Sequence, residues 1–297
     1  MAIVKTSKLK ENFQSCLLNE RFEKINVETN RKNVSFALLK LKSNNFDDAK
    51  LISYLQNASV YYALPMKRIQ ELESKGLLRQ MTDEARDKFK DAKYNDGEGG
   101  ELISYCINED VLNAPKILSK LKLKTNNEDY VKGADGIHLL KIDNKNYEVI
   151  YAESKMYSEL SKAITSAFNS IDRFISGDSL EFEVTTLATN IKGEFEDIDV
   201  DYIANVILPS KEGVVHNTAF SIFLGFEIPN VVDRSLEYEE YERQIILQAK
   251  NEIDKNIVKI NEKLKDTKRR AYSFYVYLIP FFDIKDFRKK IIKKIKE

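Results

Sequence analysis

Three charged residues gather at one end of the stretch KGADGIHLLKIDNKNYEVIYAESK, Lys132 to Lys155. Asp135 opens a run carrying Ile137, Leu139 and Leu140, and Glu153 and Lys155 close a run carrying Val149, Ile150 and Tyr151. Asp143-Asn144-Lys145-Asn146 between them is turn chemistry, so the stretch predicts a β-hairpin. Residues two apart in a strand point the same way, so Glu153 and Lys155 share a face and Ser154 points away. A turn centred on Asn144 sets Asp135 opposite Glu153, while a slip of one residue would put the carboxylates on opposite faces. Two facing carboxylates repel, and one pKa rises unless a positive charge intervenes. A divalent cation is the usual answer, since Mg²⁺ is held by one or two carboxylates together with waters and phosphate oxygens. A lysine beside it can orient a hydroxide or offset charge developing on a phosphorane.

On spacing alone, plainer readings stand beside this one. Asp135 in Gly-Ala-Asp-Gly has the ordinary composition of a turn leading into a strand. Glu153 and Lys155 can be a solvent-facing pair on an edge strand, worth little energetically. Glu101 falls in the first turn of a predicted helix, where the helix dipole favours a glutamate anyway, and Glu98 lies just outside it. His138 reads as a packed or hydrogen-bonded strand residue.

The elements that must position these groups follow from periodicity. Asn33–Leu41 has β character, FDDAKLISYLQNASVYYAL reads as a helix and KRIQELESKGLL as a second one. Met81–Gly97 is charged without an apolar stripe and reads as a connection. Leu102, Ile103, Cys106 and Ile107 have helical spacing, and a further apolar helix is predicted from Pro115 to Leu123, with the proline near its start. After the hairpin, Leu160, Ala163, Ile164, Ala167, Phe168, Ile171 and Phe174 recur at three and four, the cleanest amphipathic helix in the chain. Strands are predicted at Phe182–Asn190, Phe220–Ile228 and Ala271–Ile279, a long helix at Leu236–Leu264, and a final helix at Ile284–Ile295 clothed in lysines. EFEDIDVD, Glu194–Asp201, reads as a solvated loop.

The order helix-Glu, Asp, Glu-x-Lys across a hairpin, then an amphipathic helix resembles the PD-(D/E)xK nuclease superfamily, without its proline, since Gly133-Ala134 precedes Asp135. Three longer strings, GEGGELISYCI, APKILSKLKLKTNNEDYVKGADGIHLL and YAESKMYSELSKAITSAFNSIDRF, look like the HamA family, the nuclease subunits of the Hachiman anti-phage defence system. The likeness is dense from about Gly97 to Phe174. The family's usual Gly-Glu-Leu-Gly-Glu is Gly-Glu-Gly-Gly-Glu here, which bears on where the helix starts.

The resemblance implies an α/β fold, a restriction-endonuclease-like mixed sheet flanked by helices over residues 86–297, with a smaller α/β region over 1–85. It implies a deoxyribonuclease with little sequence preference, acting with a helicase partner, HamB. Asp135 and Glu153 would hold Mg²⁺ or Mn²⁺, Lys155 would be the catalytic lysine, Glu101 a further acid at the metal, and the Ser154 carbonyl would complete the site. A regulatory or tethering subunit of a helicase, and a nuclease that cuts RNA, are the rival readings. For the nucleic acid, Lys124 and Lys132 flank the loop TNNEDYV with its Tyr130, and Ser166, Asn169, Ser170 and Arg173 lie on the polar face of the helix after the hairpin. Contacts of that kind position a backbone without reading sequence.

Composition narrows the rest. The chain has 297 residues, 43% hydrophobic, with only ten glycines and five prolines, so a disordered or fibrous protein is excluded. Lys+Arg and Asp+Glu are both 47, so any surface for DNA must be local. Two cysteines, Cys16 and Cys106, suit a reducing cytosol, and with two histidines they are too few for the usual zinc site. The opening residues lack a signal-like apolar core, and AYSFYVYLIPFF is too short to span a bilayer. The expectation is a cytoplasmic protein with no membrane contact and no small-molecule cofactor.

Overall fold

A computed structural model describes residues 5–90 apart from 28 and 30, together with 97–119, 134–143, 146–176 and 215–297. The predicted strand at 182–190, the acidic stretch at 194–201 and the loop that carries Lys124, Tyr130 and Lys132 lie outside the described residues.

The strands are β1 (Glu23–Ile25), β2 (Lys32–Phe36), β3 (Lys116–Ser119), β4 (Gly136–Lys141), β5 (Asn146–Met156), β6 (Val215–Glu227) and β7 (Ser273–Phe281). The helices are α1 (Asp48–Ala63), α2 (Met66–Ser74), α3 (Leu78–Asp87), α4 (Glu98–Asp110), α5 (Leu160–Ser176), α6 (Tyr238–Lys265) and α7 (Ile284–Lys296). The strands form one mixed sheet in the order β1-β2-β7-β6-β5-β4-β3. β5, β6, β7 and β2 run parallel, and β1, β3 and β4 pair antiparallel with their neighbours. This is the mixed, helix-flanked α/β sheet expected from the sequence. The region before residue 85 supplies β1 and β2, which continue the sheet beyond β7.

Alternation along β5 shows which helix covers which face. Tyr151 meets Phe174 of α5, ring centroids 4.8 Å apart. Ser154 and Met156, on the other face, lie 3.4 Å from where a Cβ of Gly100 in α4 would stand. α4, with α1 and α7, therefore backs one face, and α5, with α6, backs the other. β5 is buried on both faces over nearly its whole length, with a continuous apolar run at Val149, Ile150, Tyr151 and Ala152, as suits a central strand. Gly225 of β6 allows Met156 to pack close, since a Cβ there would stand 2.9 Å from the methionine Cγ.

Two expectations need correction. Pro115–Leu123 is not helical over its described part: residues 116–119 are strand β3, paired antiparallel with β4. A short apolar run carries no period that tells helix from strand, and the open edge of β4 decided the matter. Met81–Gly97 is not simply a connection, because Leu78–Asp87 forms α3. That helix buries little beyond Ala85, and polar pairing supports it: Arg68 of α2 grips Glu84 through two hydrogen bonds of 2.9 and 2.6 Å. The Gly-Glu-Gly-Gly-Glu segment starts α4 at Glu98, and Ile291 of α7 packs over Gly99, within 3.5 Å of where a Cβ would lie.

Candidate active site

The hairpin register is the one that a turn at Asn144 dictates. Gly136 faces Ala152 and Lys141 faces Tyr147, and the Asp135 N–H donates to the Ala152 carbonyl at 2.9 Å. Continued by one residue, the register sets Asp135 against Glu153 at the end of the β4–β5 hairpin away from its turn. Both side chains are buried, at 7% and 9% exposure.

Each carboxylate has a different set of partners. Ser154 donates to Asp135 Oδ2 twice, from its backbone N–H at 2.8 Å and from its hydroxyl at 2.9 Å. Lys155 Nζ lies 2.5 Å from Glu153 Oε1, out of line for a hydrogen bond, and donates to the Ser154 carbonyl at 3.2 Å. Burial pushes the Glu153 carboxyl up to about 7; the charge of Asp135 pushes the same way, while Lys155 and a hydrogen bond from Ser170 of α5 pull it down. Burial works against the Lys155 charge, but Glu153 and Asp135 together overcome it and hold the ammonium above its ordinary pKa. The cluster is thus two acids pressed together with one cation that satisfies them only in part.

Glu101, in the first turn of α4, accepts a 3.0 Å hydrogen bond from the Tyr62 hydroxyl. It shares a narrow pocket on the α4 side of the sheet with Asp135, Tyr105, Lys116 and His138. His138 Nδ1 faces the Ala114 carbonyl at 2.8 Å and must donate there, and burial lowers its pKa to about 4, so it is a neutral, hydrogen-bonded strand residue. Glu98 is buried and accepts from the Lys90 N–H at 2.9 Å. On the α5 side, Ser166, Asn169, Asp172 and Arg173 line an open groove. Asp172 is engaged there by Arg269 at 2.5 Å, and Arg173 donates to the Ser170 hydroxyl at 3.3 Å.

The donor set suits a hard divalent cation at the level of two carboxylates. The buried Oε1 of Glu153 has no aligned hydrogen-bond donor, and its charge is opposed by that of Asp135. Both conditions are relieved by a cation that takes one or two carboxylates and completes its shell elsewhere. Among the described residues no group of three His, Cys, Asp or Glu side chains is placed to hold a metal, and Glu101 lines one pocket with Asp135.

The sequence profile of the HamA family matches residues 12–295, nearly the whole chain. The chain belongs to the HamA family. A search of curated proteins returned no match. Membership points to Hachiman anti-phage defence. Among the described residues of this HamA protein no helix is long and apolar enough to cross a membrane. Three of its contacts escape sequence reasoning: the side chain of Ser154 on Asp135, Ser170 behind Glu153, and Tyr62 on Glu101. Ser170 carried a faint signal, its place on the polar face of α5. Tyr62 carried none, because its partner lies 39 residues away.

Proposed function

We propose that this HamA protein is a metal-dependent deoxyribonuclease of little sequence preference, working in anti-phage defence with a helicase partner, HamB. The observation that carries the reading is Glu153, buried between the charge of Asp135 on one strand and the Lys155 ammonium on its own. When bound there, Mg²⁺ or Mn²⁺ would acidify a water and offset charge on the phosphate. Asp135 and Glu153 would hold that ion. The two Ser154 hydrogen bonds aim the Asp135 carboxylate. Lys155, partly exposed and kept charged by its two acids, would donate to the attacking water or to a phosphate oxygen. Arg173 and Ser166 on the α5 groove would steady the nucleic-acid backbone, with Lys124 and Lys132 adding charge.

The test is supercoiled plasmid incubated with the purified chain and Mg²⁺ or EDTA, wild type beside Glu153→Ala and Lys155→Ala, with matched DNA and RNA strands in parallel. Nicking of DNA that needs metal and is lost in both variants supports the reading. Cleavage that survives both substitutions sinks it, and cleavage of RNA alone moves the substrate. An unspecific nuclease endangers its own cell, so the helicase partner is expected to restrain it. Equal plasmid cutting with and without that partner would count against restraint.

A further inference from the structure

Tyr62 is fully buried near the C-terminal end of α1, and nothing in the hairpin chemistry requires it. Its ring packs on Tyr105 and Phe89, centroids 5.5 and 6.2 Å away, so its hydroxyl has one fixed direction. That direction ends 3.0 Å from Glu101 Oε2. Burial, followed by the charges of Glu101 and Asp135, raises its pKa well above the ordinary phenol value, so it stays a donor.

The end of α1 is itself pinned. A helix leaves its last carbonyls without intrahelical partners. The buried ammonium of Lys116, at the start of β3, supplies them: it donates to the carbonyls of Tyr61, Tyr62 and Leu64 at 2.7, 3.2 and 3.3 Å. Lys116 therefore fixes the backbone that carries the phenol, and it lines the same pocket as Tyr62, Glu101 and Asp135. A sheet strand, a helix end and a second helix are thus joined through one hydroxyl to an acid beside Asp135.

We infer that Tyr62, braced by Lys116, is a positioning residue that holds the Glu101 carboxylate beside Asp135 and so raises the affinity of the Asp135–Glu153 pair for a divalent cation. The inference rests on the metal reading above. Glu101 acts from beside the pair, so its effect is graded: a nearby negative charge strengthens cation binding without being a third ligand. Partners that orient a metal-binding acid typically change affinity by about 10- to 100-fold.

The experiment is Mn²⁺ binding to the full chain, free of DNA, followed by electron paramagnetic resonance of the unbound ion. Wild type is compared with Tyr62→Phe, Glu101→Gln and the double variant. Tyr62→Phe keeps the ring packing and removes the donor. Its Kd for Mn²⁺ is expected to rise about 10-fold, Glu101→Gln at least as much, and the double variant no more than Glu101→Gln alone. The number of sites in each titration counts folded molecules, so partial unfolding appears as fewer sites and not as weaker ones. An unchanged Kd in Tyr62→Phe, or losses that add in the double variant, would overturn the inference and leave the metal reading standing. Wild-type chain that binds no Mn²⁺ would overturn both.

Discussion

Glu109 and Glu153 are both buried glutamates, and burial raises the pKa of both, but their surroundings differ in kind. At the C-terminal end of α4, Glu109 accepts from the Thr6 hydroxyl at 2.6 Å, the Thr6 N–H at 2.9 Å and the Lys116 N–H at 2.6 Å. Its neighbour Asp110 accepts from the Phe13 N–H at 2.5 Å and from the Tyr54 hydroxyl, and it pairs with Lys5. Donors from the N-terminal segment, α1 and β3 close around two acids that each look toward their own partners. At the end of β5 one thing differs: Glu153 looks toward another acid, Asp135, whose charge adds to the effect of burial. An ammonium out of line for a hydrogen bond stands at both places, Lys155 at Glu153 Oε1 and Lys5 at Asp110 Oδ1. Burial of an acid does not distinguish a candidate site from a structural joint. Opposition of like charges is the difference between these two, and it is offset by a bound proton or by a further cation.

Exchanging the two acids for their amides sharpens the contrast most. Glu153→Gln is expected to lower DNA cleavage by on the order of 10²–10³-fold while stability to urea holds or rises, since a repulsion is removed. Glu109→Gln is expected to cost about 2–4 kcal/mol of stability, because backbone and hydroxyl donors lose an acceptor, with cleavage per folded molecule unchanged. Plasmid nicking and urea unfolding, run on both variants, measure the pair. Reversed results would mean that the structural joint and the reactive cluster have been confused.

pH gives an effect of intermediate size. The Glu153 carboxyl sits at about 7 when folded, above the 4.5 of an unperturbed glutamate. The folded chain therefore holds that proton more tightly than the unfolded chain. Its contribution to stability is full below about pH 4.5 and is lost as pH rises through 7. The stability of wild type relative to Glu153→Gln, measured without divalent cations, is expected to fall by at most roughly 3 kcal/mol across that window. A flat difference would show that burial and Asp135 together do not raise the Glu153 pKa.

The smallest effect belongs to the α5 groove. Arg173→Ala, in a Glu153→Gln background that prevents cutting, is expected to weaken DNA binding a few-fold and to reduce the slope of log affinity against log salt by about 1. Fluorescence anisotropy at several salt concentrations measures it. An unchanged slope would leave the groove outside the DNA path.

Much of this was legible in the sequence where a period repeats. The two apolar runs and the turn residues at 143–146 determine the hairpin, and pairing residues equidistant from the middle of that turn gives its register. The three-and-four spacing from Leu160 to Phe174 determines α5 and the face that it buries. So the sequence by itself determined that Asp135, Glu153 and Lys155 meet, and its longer strings carried the family. Where no period repeats, tertiary pairing decided: residues 116–119 became a strand because β4 offered them an edge. The partners of the acids were also decided only in three dimensions. Tyr62 reaches Glu101 across 39 residues, and Lys116 reaches the end of α1 across more than 50. A single side-chain hydrogen bond between distant segments leaves no pattern along the chain, because only the packing of α1, α4 and β3 brings its two ends together.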